Sequence, residues 1–275
     1  MQIAPVVDEP GWHVLTLHDA TAAETMGKTT GKGSEDFALR APDILAHEIK
    51  NPLAGIRGAA QLLARKVSEG DKPLTTLIAD EVDRIAALID QMQTLSRRTR
   101  AELSACNLHE AIRRAVAILS AAQEPGVTIT EAFDPSLPPV YANGDALVQV
   151  LINLISNARD AVERTENPQI IIRTRFASGL QLHGGDGGKP LRLPIELRVS
   201  DNGPGIDPAL NDHLFEPFVT SKKHGQGLGL ALVRKLVRDM NGRVSHERDA
   251  ATGWTHFRVH LPLVDEAIRA GGATS

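Results

Sequence analysis

Residues 45–67 read LAHEIKNPLAGIRGAAQLLARKV, and this stretch decides how the first part of the chain folds. Its apolar side chains recur at steps of three and four residues, the period of an amphipathic or coiled-coil helix. At roughly 100° per residue, they stay within about 40° of one line on the helix surface. The stretch therefore predicts a long helix, over residues 37–69, with a seam formed by Leu45, Ile49, Leu53, Ile56, Ala60, Leu63 and Val67.

A histidine, a carboxylate and a carboxamide lie on the other side of this helix. His47 is roughly 160° from the seam, and Glu48 and Asn51 share its polar side. Two interpretations are open from the helix alone: a solvated histidine without a role, or a histidine presented for chemistry. Pro52 removes a backbone donor inside the helix and predicts a bend just after the His47 turn.

A second helix is predicted from about Leu74 to Arg98, so the two helices form an antiparallel hairpin. A hairpin alone buries only part of each apolar stripe. A second hairpin would cover the remainder in a four-helix bundle, so we expect a homodimer; docking onto the C-terminal domain is the alternative. The stripe of the second helix is Ile78, Val82, Ile85, Ile89 and Met92.

The composition is that of an ordinary soluble protein. The 275 residues are 42% hydrophobic and 23% charged, with a net charge of −4, which gives no electrostatic reason to expect nucleic acid or anionic membrane as a partner. The single cysteine, Cys106, excludes an internal disulfide framework. No apolar run approaches the roughly 18 residues of a membrane span, and no secretion signal is visible. We therefore expect a cytoplasmic protein.

From about Leu108 the pattern changes to alternating helices and strands, which predicts a mixed sheet with helices on one face, an α/β sandwich. The glycine-rich stretch Ser178–Pro190 is expected to be a mobile insertion without chemistry. The predicted helices are 108–121, 145–164 and 231–240, and the predicted strands are 127–133, 170–176, 195–200, 243–248 and 255–261.

Four segments follow from these patterns. Residues 1–36 are expected to be flexible, with one possible strand near Trp12–Leu17. The helical hairpin occupies 37–103, the α/β domain 104–265, and a flexible tail 266–275.

Three segments of the α/β domain carry polar or glycine-rich motifs that suit a nucleotide. Asn153, Asn157 and Asp160 are spaced i, i+4 and i+7, so they share one face of an otherwise apolar helix. Buried polar groups need partners, and a hydrated cation with phosphate oxygens would supply them. Asp201 directly follows the predicted strand 195–200 and precedes Gly203 and Gly205. A carboxylate there can accept from an exocyclic amine such as that of adenine.

The third segment is Gly225-Gln-Gly227-Leu-Gly229 at the start of a helix, where backbone amides cradle phosphates. It lacks the Gly-Lys-Ser/Thr of a Walker loop. The segment before it, Phe215-Glu-Pro-Phe218-Val-Thr-Ser-Lys222-Lys223, suits a lid that two phenylalanines anchor. Lys222 is placed to reach a phosphate, with Lys223 as the less favoured alternative.

Together these motifs resemble the ATP-binding domain of sensor histidine kinases, type II topoisomerases, Hsp90 chaperones and MutL. The His47 motif upstream narrows the resemblance to two-component sensor histidine kinases over about residues 40–263. It narrows again to the nitrogen-regulation (NtrB) type on residues 47–63 (HEIKNPLAGIRGAAQLL), 134–140 (DPSLPPV) and 215–222 (FEPFVTSK).

The resemblance implies a dimeric phosphoacceptor hairpin followed by an ATP-binding α/β sandwich that uses ATP and Mg²⁺. It implies that His47 is the phosphoacceptor, Glu48 its acid/base partner and Asn51 the residue that positions water for dephosphorylating the regulator. Asn157 corresponds to the Mg²⁺ ligand and Asp201 to the adenine-binding aspartate. The remaining nucleotide-binding positions implied are Asn153, Asp160, Gly203, Gly205, Thr220, Lys222, Gly227, Leu228 and Gly229.

The implied partners are an NtrC-like response regulator and a PII-type nitrogen-signalling protein. One departure concerns the N-terminus: the family usually carries a PAS domain ahead of the histidine helix, and about 46 residues are too few for that fold. Two other functions stay open: a phosphatase or scaffold for which ATP is only a conformational ligand, and a chaperone- or repair-type ATPase. Asn153 argues against the latter, since such ATPases usually carry a glutamate there.

Overall fold

The computed structural model describes residues 2–5, 13–16, 33–97, 101–121, 127–177, 179–182, 190–222 and 225–264. It divides into two compact units, Met1–Asp83 and Arg84–Ser275. Within the described residues, no helix is both long enough and apolar enough to cross a bilayer.

The first unit contains a strand pair and the start of the helical hairpin. Strand β1 (Gln2–Pro5) pairs antiparallel with β2 (His13–Thr16), so the strand expected near Trp12 is present, and its partner escaped the sequence analysis. Helix α1 spans Gly33–Ala64 and runs without interruption through Pro52. The predicted extension of this helix to residue 69 is wrong, because the chain turns after Ala64 and leaves Val67 outside the helical seam.

Helix α2 spans Lys72–Ser96 and crosses from the first unit into the second. An ion pair between Arg57 Nε and Asp83 Oδ1, 2.8 Å apart, joins the two helices of the hairpin.

Each helix of the hairpin carries a buried row and an exposed row of side chains, each with a spacing of seven residues. Ala46, Leu53 and Ala60 are buried on α1, whereas Ile49, Ile56 and Leu63 are 46–50% exposed. On α2 the buried row is Thr75, Val82 and Ile89, and the exposed row is Ile78, Ile85 and Met92. Leu53, Ala60, Val82 and Ile89 of the predicted seams are thus buried, whereas the two exposed rows of those seams are not covered.

The second unit is an α/β sandwich, as predicted. The strands of its main sheet are β4 (Thr128–Ala132), β6 (Gln169–Phe176), β9 (Ile195–Asp201), β10 (Arg243–Asp249) and β11 (Trp254–Leu261). They lie in the order β10-β11-β9-β6-β4, in which only β4 and β6 are parallel.

Three helices cover one face of this sheet: α3 (Leu108–Ala121), α4 (Gly144–Val162) and α5 (Gly229–Asp239). Helix α4 lies between the other two, and packs on β6 and β9. The Asn143 side chain caps it by accepting from the Ala146 amide at 2.9 Å. The core between the layers is aliphatic and includes Leu147, Leu151, Leu154, Ile155, Ile170, Ile172, Ile195, Leu197, Val259 and Leu261.

Four short strands were not predicted. β3 (Ser104–Cys106) pairs with β5 (Val140–Ala142), and each has only three residues, too few to show an alternating pattern. β7 (Gln181–Leu182), inside the expected insertion, pairs with β8 (Leu191–Arg192), which directly follows it. Residues 183–189 of that insertion, like most of the predicted segments 1–36 and 266–275, lie outside the described residues.

The Glu196 carboxylate is the strongest electrostatic feature of the sheet. It is 3% exposed, accepts two hydrogen bonds from Arg175 (2.9 and 2.8 Å) and lies 3.4 Å from His260 Nε2. Burial alone raises the pKa of this carboxyl, but hydrogen bonds from His260 and Arg175 and the charges of Arg175 and Arg198 outweigh burial and hold the pKa well below its usual range.

Arg175→Ala is expected to lower the free energy of unfolding by about 2 kcal/mol, because it leaves a buried carboxylate with fewer donors. Because the folded-state pKa of Glu196 is depressed, this stabilisation is present above the unfolded pKa of about 4.3 and is lost as the pH falls below it. Urea denaturation at pH 7 and pH 3.5 measures both effects. Arg164→Ala, at an exposed arginine, is the control; equal losses in the two variants would contradict the assignment.

Candidate functional site

The site is built on the polar edge of α4, where Asn153, Asn157 and Asp160 follow one another as the spacing predicts. The opposite face of the helix is buried in the core, which fixes the direction of this edge. Asn153 and Asn157 are half-buried, and Asp160 is exposed. Asn153 Nδ2 donates to the Gln149 carbonyl at 2.9 Å, which holds that carboxamide in place.

An ammonium group bridges the oxygens of this edge. Lys222 Nζ donates to Asn157 Oδ1 at 2.7 Å and to Asp160 Oδ2 at 2.6 Å. The Thr220 hydroxyl accepts from the Lys222 amide at 3.1 Å, which fixes the backbone that carries the lysine. The α4 oxygens thus form a place for positive charge, and hard oxygen ligands of this kind suit Mg²⁺.

Within the described residues there is no group of three or more His, Cys, Asp or Glu side chains that would hold a metal by itself. Any divalent ion at Asn157 therefore needs further oxygens from a bound molecule, as Mg²⁺ in nucleotide sites usually does.

The loop after β9 comes so close to α4 that only glycine fits at position 203. A Cβ added to Gly203 would lie 2.7 Å from the Ala161 carbonyl oxygen. Gly205 has φ +90°, a conformation that side chains rarely adopt. The predicted glycines at this loop are therefore required by the fold.

Arg248 holds the same loop, and sequence reasoning missed it. Its Nη1 donates to the Gly203 carbonyl and to Thr255 Oγ1, both at 2.9 Å, and its guanidinium lies 3.0 Å from where a Gly205 Cβ would be. An arginine near the end of a polar strand carries no pattern that would have identified it.

Asp201 lies at the end of β9 with its side chain almost fully buried, at 3% exposed. Its Oδ1 accepts from the Gly203 amide at 3.1 Å. Burial raises the pKa of the carboxyl to about 6, against the opposing effects of that hydrogen bond and the Arg248 charge. A buried carboxylate with so few donors is suited to receive one from a ligand amine.

The third segment folds back on itself next to α4. The Phe218 amide donates to the Gly227 carbonyl at 2.9 Å, and a Cβ on Gly227 (φ +67°) would meet the Phe218 backbone at 2.5 Å. Helix α5 begins at Gly229, where an added Cβ would lie 2.9 Å from Asn153 Oδ1. No side chain caps α5 at Leu228, so the first backbone amides of this helix suit phosphate oxygens.

The expectation that two phenylalanines anchor this segment is wrong for one of them. Phe215 packs edge-on against Phe257, with ring centroids 6.5 Å apart. Phe218 is 64% exposed, because its backbone adopts φ 68° to meet Gly227. Phe215 is therefore the anchor.

His47, Glu48 and Asn51 belong to the first unit, and all three are exposed on α1. Their neighbours Ala46 and Leu53 are buried, so the histidine lies on the polar side as its spacing predicts.

Comparison with known proteins matches both parts of this arrangement. Residues 43–101 match the His Kinase A (phospho-acceptor) domain, and residues 142–265 match the histidine kinase-, DNA gyrase B- and HSP90-like ATPase family. The chain is 41% identical over 263 residues to the sensory histidine kinase/phosphatase NtrB of Rhizobium meliloti (strain 1021), spanning 95% of this chain and 68% of that protein. It is 39% identical to NtrB of Rhodobacter capsulatus, and the match spans 98% of this chain and 74% of that protein.

The chain belongs to the NtrB family of sensory histidine kinase/phosphatases.

Solved structures share the fold of this chain. The full-length ShkA structure in complex with AMPPNP aligns with a TM-score of 0.63 at 26% identity, over 81% of this chain and 45% of that one. The Acinetobacter baumannii histidine kinase AdeS aligns with a TM-score of 0.55 at 21% identity over 79% and 98%, which shows the shared fold. The predicted family, fold class and protein-histidine kinase activity of this NtrB-family chain are confirmed.

Asp201→Asn is expected to raise the free energy of unfolding at pH 8 by on the order of 2 kcal/mol, because it removes a buried charge whose pKa is raised to about 6. A carboxyl group whose pKa is raised in the folded state lowers the free energy of unfolding at pH values above that pKa. It has no effect at pH values where the carboxyl is protonated in both the folded and the unfolded state. The gain should therefore shrink to roughly 0.5 kcal/mol at pH 4, where the unfolded carboxyl is about half protonated. Urea denaturation at the two pH values measures it, and a destabilised variant at pH 8 would refute the assignment.

Proposed function

We propose that this protein transfers the γ-phosphoryl group of ATP to His47 and then to an aspartate of a response regulator. The observation that carries the proposal is the exposed His47–Glu48–Asn51 face on a helix that matches the phospho-acceptor domain, in one chain with a nucleotide constellation around α4. As its NtrB relatives are named kinase/phosphatases, we propose that it also dephosphorylates the regulator.

In the proposed nucleotide complex, the buried Asp201 carboxylate accepts from the exocyclic amine of adenine. Gly203 and Gly205 let the ring approach the backbone, and the amides of Gly227, Leu228 and Gly229 at the start of α5 hold the phosphates.

Mg²⁺ fits the oxygens of Asn157, assisted by Asp160, because these atoms already attract the Lys222 ammonium at 2.7 and 2.6 Å. When bound, the ion neutralises phosphate charge. Lys222 and the ion compete for the same oxygens, so Lys222 is free to move to a phosphate when the metal site fills. Thr220 then keeps the lysine backbone in place, and Asn153 completes the polar edge.

At the acceptor, a neutral His47 imidazole nitrogen forms a bond to the γ-phosphorus as the bond to the bridging oxygen breaks and ADP leaves. Glu48 accepts the other ring N–H and thereby sets the tautomer. Catalysis of this step is mostly positioning and charge neutralisation. In the opposing phosphatase reaction, Asn51 orients the water that attacks the phosphorus of the regulator's phosphoaspartate, and the aspartate carboxylate leaves as inorganic phosphate forms.

We further propose a homodimer. The exposed rows Ile49, Ile56 and Leu63 on α1 and Ile78, Ile85 and Met92 on α2 repeat every seven residues, as the uncovered half of a coiled-coil seam does. A second hairpin would bury both rows in a four-helix bundle.

The finer assignments rest on the family resemblance. We propose an NtrC-like regulator, a PII-type protein as the source of the signal, and a role in nitrogen regulation. The reaction consumes ATP, so we propose a cytoplasmic location. The proposed domain limits are 37–103 for the phospho-acceptor hairpin and 104–265 for the ATPase, because α3 and β4 join the same core and sheet as residues 142–265.

His47→Gln is expected to abolish labelling by γ-³²P-ATP and to leave nucleotide affinity unchanged, because it removes the nucleophile alone. Gln61→Ala is the matched control: Gln61 is exposed on α1 two heptads after His47, and the variant should label normally. Acid-labile labelling that persists in His47→Gln would contradict the proposal, and steady ATP hydrolysis with no phosphoprotein in the unmodified chain would favour a repair-type ATPase.

Asn51→Ala is expected to slow dephosphorylation of the regulator at least about tenfold, because the attacking water loses its orientation, while labelling of His47 persists. Release of phosphate from a purified phosphorylated regulator measures the rate, again with Gln61→Ala as control. If Asn51→Ala lost labelling and kept phosphatase activity, the proposed role of Asn51 would be wrong.

A further inference from the structure

We propose that the open face of the sheet, opposite the helix layer, binds a small organic anion that has an apolar, ring-sized body. The alternation of the strands defines this face. Ile170, Ile172, Val199 and Val259 point into the helix-side core. The intervening residues of β6, β9 and β11 therefore face the other way.

A row of three arginines crosses this face. Arg173, Arg198 and Arg258 are direct register partners on β6, β9 and β11. Like charges directly opposite one another destabilise a sheet. This repulsion contributes to the low pKa of Arg198. Burial lowers that pKa most, and the Glu196 charge raises it. The charges of Arg173, Arg258 and Arg175 lower it further.

The acceptors on this face do not balance the donors. Glu196 is committed to Arg175 at 2.8 Å and lies 3.7 Å from Arg198, while Glu247 pairs with Arg258 at 2.5 Å. Arg258 Nε is buried without an acceptor in the described part of the chain.

The Arg173 side chain is exposed and makes no hydrogen bond or ion pair with any residue that the structure describes. A carboxylate or phosphate would supply the missing acceptor, since guanidinium groups bind both with two parallel hydrogen bonds.

A cavity of about 250 Å³ opens beside this row. Its wall has an apolar part and a polar part, formed by Ile171, Trp254, Arg173, Arg198, Ser200 and His256. Asp249 and Thr252 complete the lining, but the Asp249 carboxylate accepts from the Thr252 hydroxyl (2.7 Å) and from the Ala251 and Thr252 amides (2.9 and 3.3 Å). That carboxylate is thereby engaged within its own turn.

The His256–Ser200 pair contributes polarity without a positive charge. His256 Nδ1 and Ser200 Oγ are 2.8 Å apart. Burial lowers the pKa of His256, and the charges of Arg198 and Arg258 lower it further. The charges of Glu247 and Asp249 raise it, but the net shift is downward. The ring is neutral at pH 7, so the arginines supply the charge that holds the anion and the pair supplies hydrogen bonding to it.

The size of the cavity limits the ligand. Sites for drug-sized molecules measure roughly 300–1,000 Å³, so this one suits a single-ring anion and is too small for a nucleotide. A planar ring can lie against the Trp254 indole and Ile171 while its carboxylate or phosphate meets Arg173 and Arg198. Asp201, by contrast, lies on the helix-facing side of β9, so this cavity is distinct from the proposed nucleotide site.

The test uses Trp254 as its own reporter. The chain has two tryptophans, so Trp12→Phe leaves Trp254 as the only indole. The full-length Trp12→Phe protein, saturated with ADP and Mg²⁺ to occupy the nucleotide site, is titrated with phenyl phosphate, benzoate, inorganic phosphate and benzyl alcohol while Trp254 fluorescence is recorded.

We expect saturable quenching by phenyl phosphate or benzoate, at least about tenfold weaker binding of that ligand after Arg173→Ala, and no change after Arg192→Ala, an exposed arginine on β8. Circular dichroism should show an Arg173→Ala variant that is folded and no less stable than its parent, since the substitution relieves repulsion. Absence of saturation, an unchanged affinity in Arg173→Ala, or equal binding by inorganic phosphate or benzyl alcohol would overturn the proposal.

Discussion

The close contact between the loop after β9 and helix α4 is the constraint on which the proposed nucleotide site depends. At Gly203 the two backbones leave no room for a side chain, since a Cβ would lie 2.7 Å from the Ala161 carbonyl oxygen. This contact places Asp201 under α4 in a buried position and fixes where Gly205 passes. Arg248 then holds the loop from the other side through the Gly203 carbonyl. The close contact at Gly203 and the Arg248 hydrogen bond together hold the Asp201 carboxylate beside α4.

Charge is arranged around that packing so that the site is neutralised without a nucleotide. Lys222 satisfies the oxygens of Asn157 and Asp160, so the polar edge of α4 carries no uncompensated charge. In the proposed nucleotide complex, Asn157 and Asp160 would hold a divalent ion, which would neutralise phosphate charge, and Lys222 would be available to the phosphates. In this account the same lysine stabilises the site before binding and the phosphates after it.

The sequence predicted most of the fold, because the periods of the long elements are unambiguous. The helices Leu108–Ala121 and Gly144–Val162 and the five strands of the main sheet were located to within a few residues. The three-residue strands β3 and β5 were missed, since an alternating pattern needs more length. The end of α1 was misjudged because Val67 continues the apolar period into a turn, and periodicity does not report where hydrogen bonding stops.

Candidate site residues were predictable where a residue type is forced by geometry. Gly203, Gly205 and Gly227 are such positions, and so is the i, i+4, i+7 row on α4. Arg248, the exposure of Phe218 and the Lys222 bridge depend on long-range packing between segments, which one sequence does not reveal. The arginine row on the open face became visible only once strand register placed Arg173, Arg198 and Arg258 side by side.

The most direct test of the account is to locate the phosphoryl group on the protein after incubation with ATP and Mg²⁺. Peptide mapping by mass spectrometry under alkaline conditions, which preserve phosphohistidine, is suited to this. The account predicts a single modified peptide with the phosphoryl group on His47. A phosphoryl group on another residue, or none despite bound ATP, would contradict it.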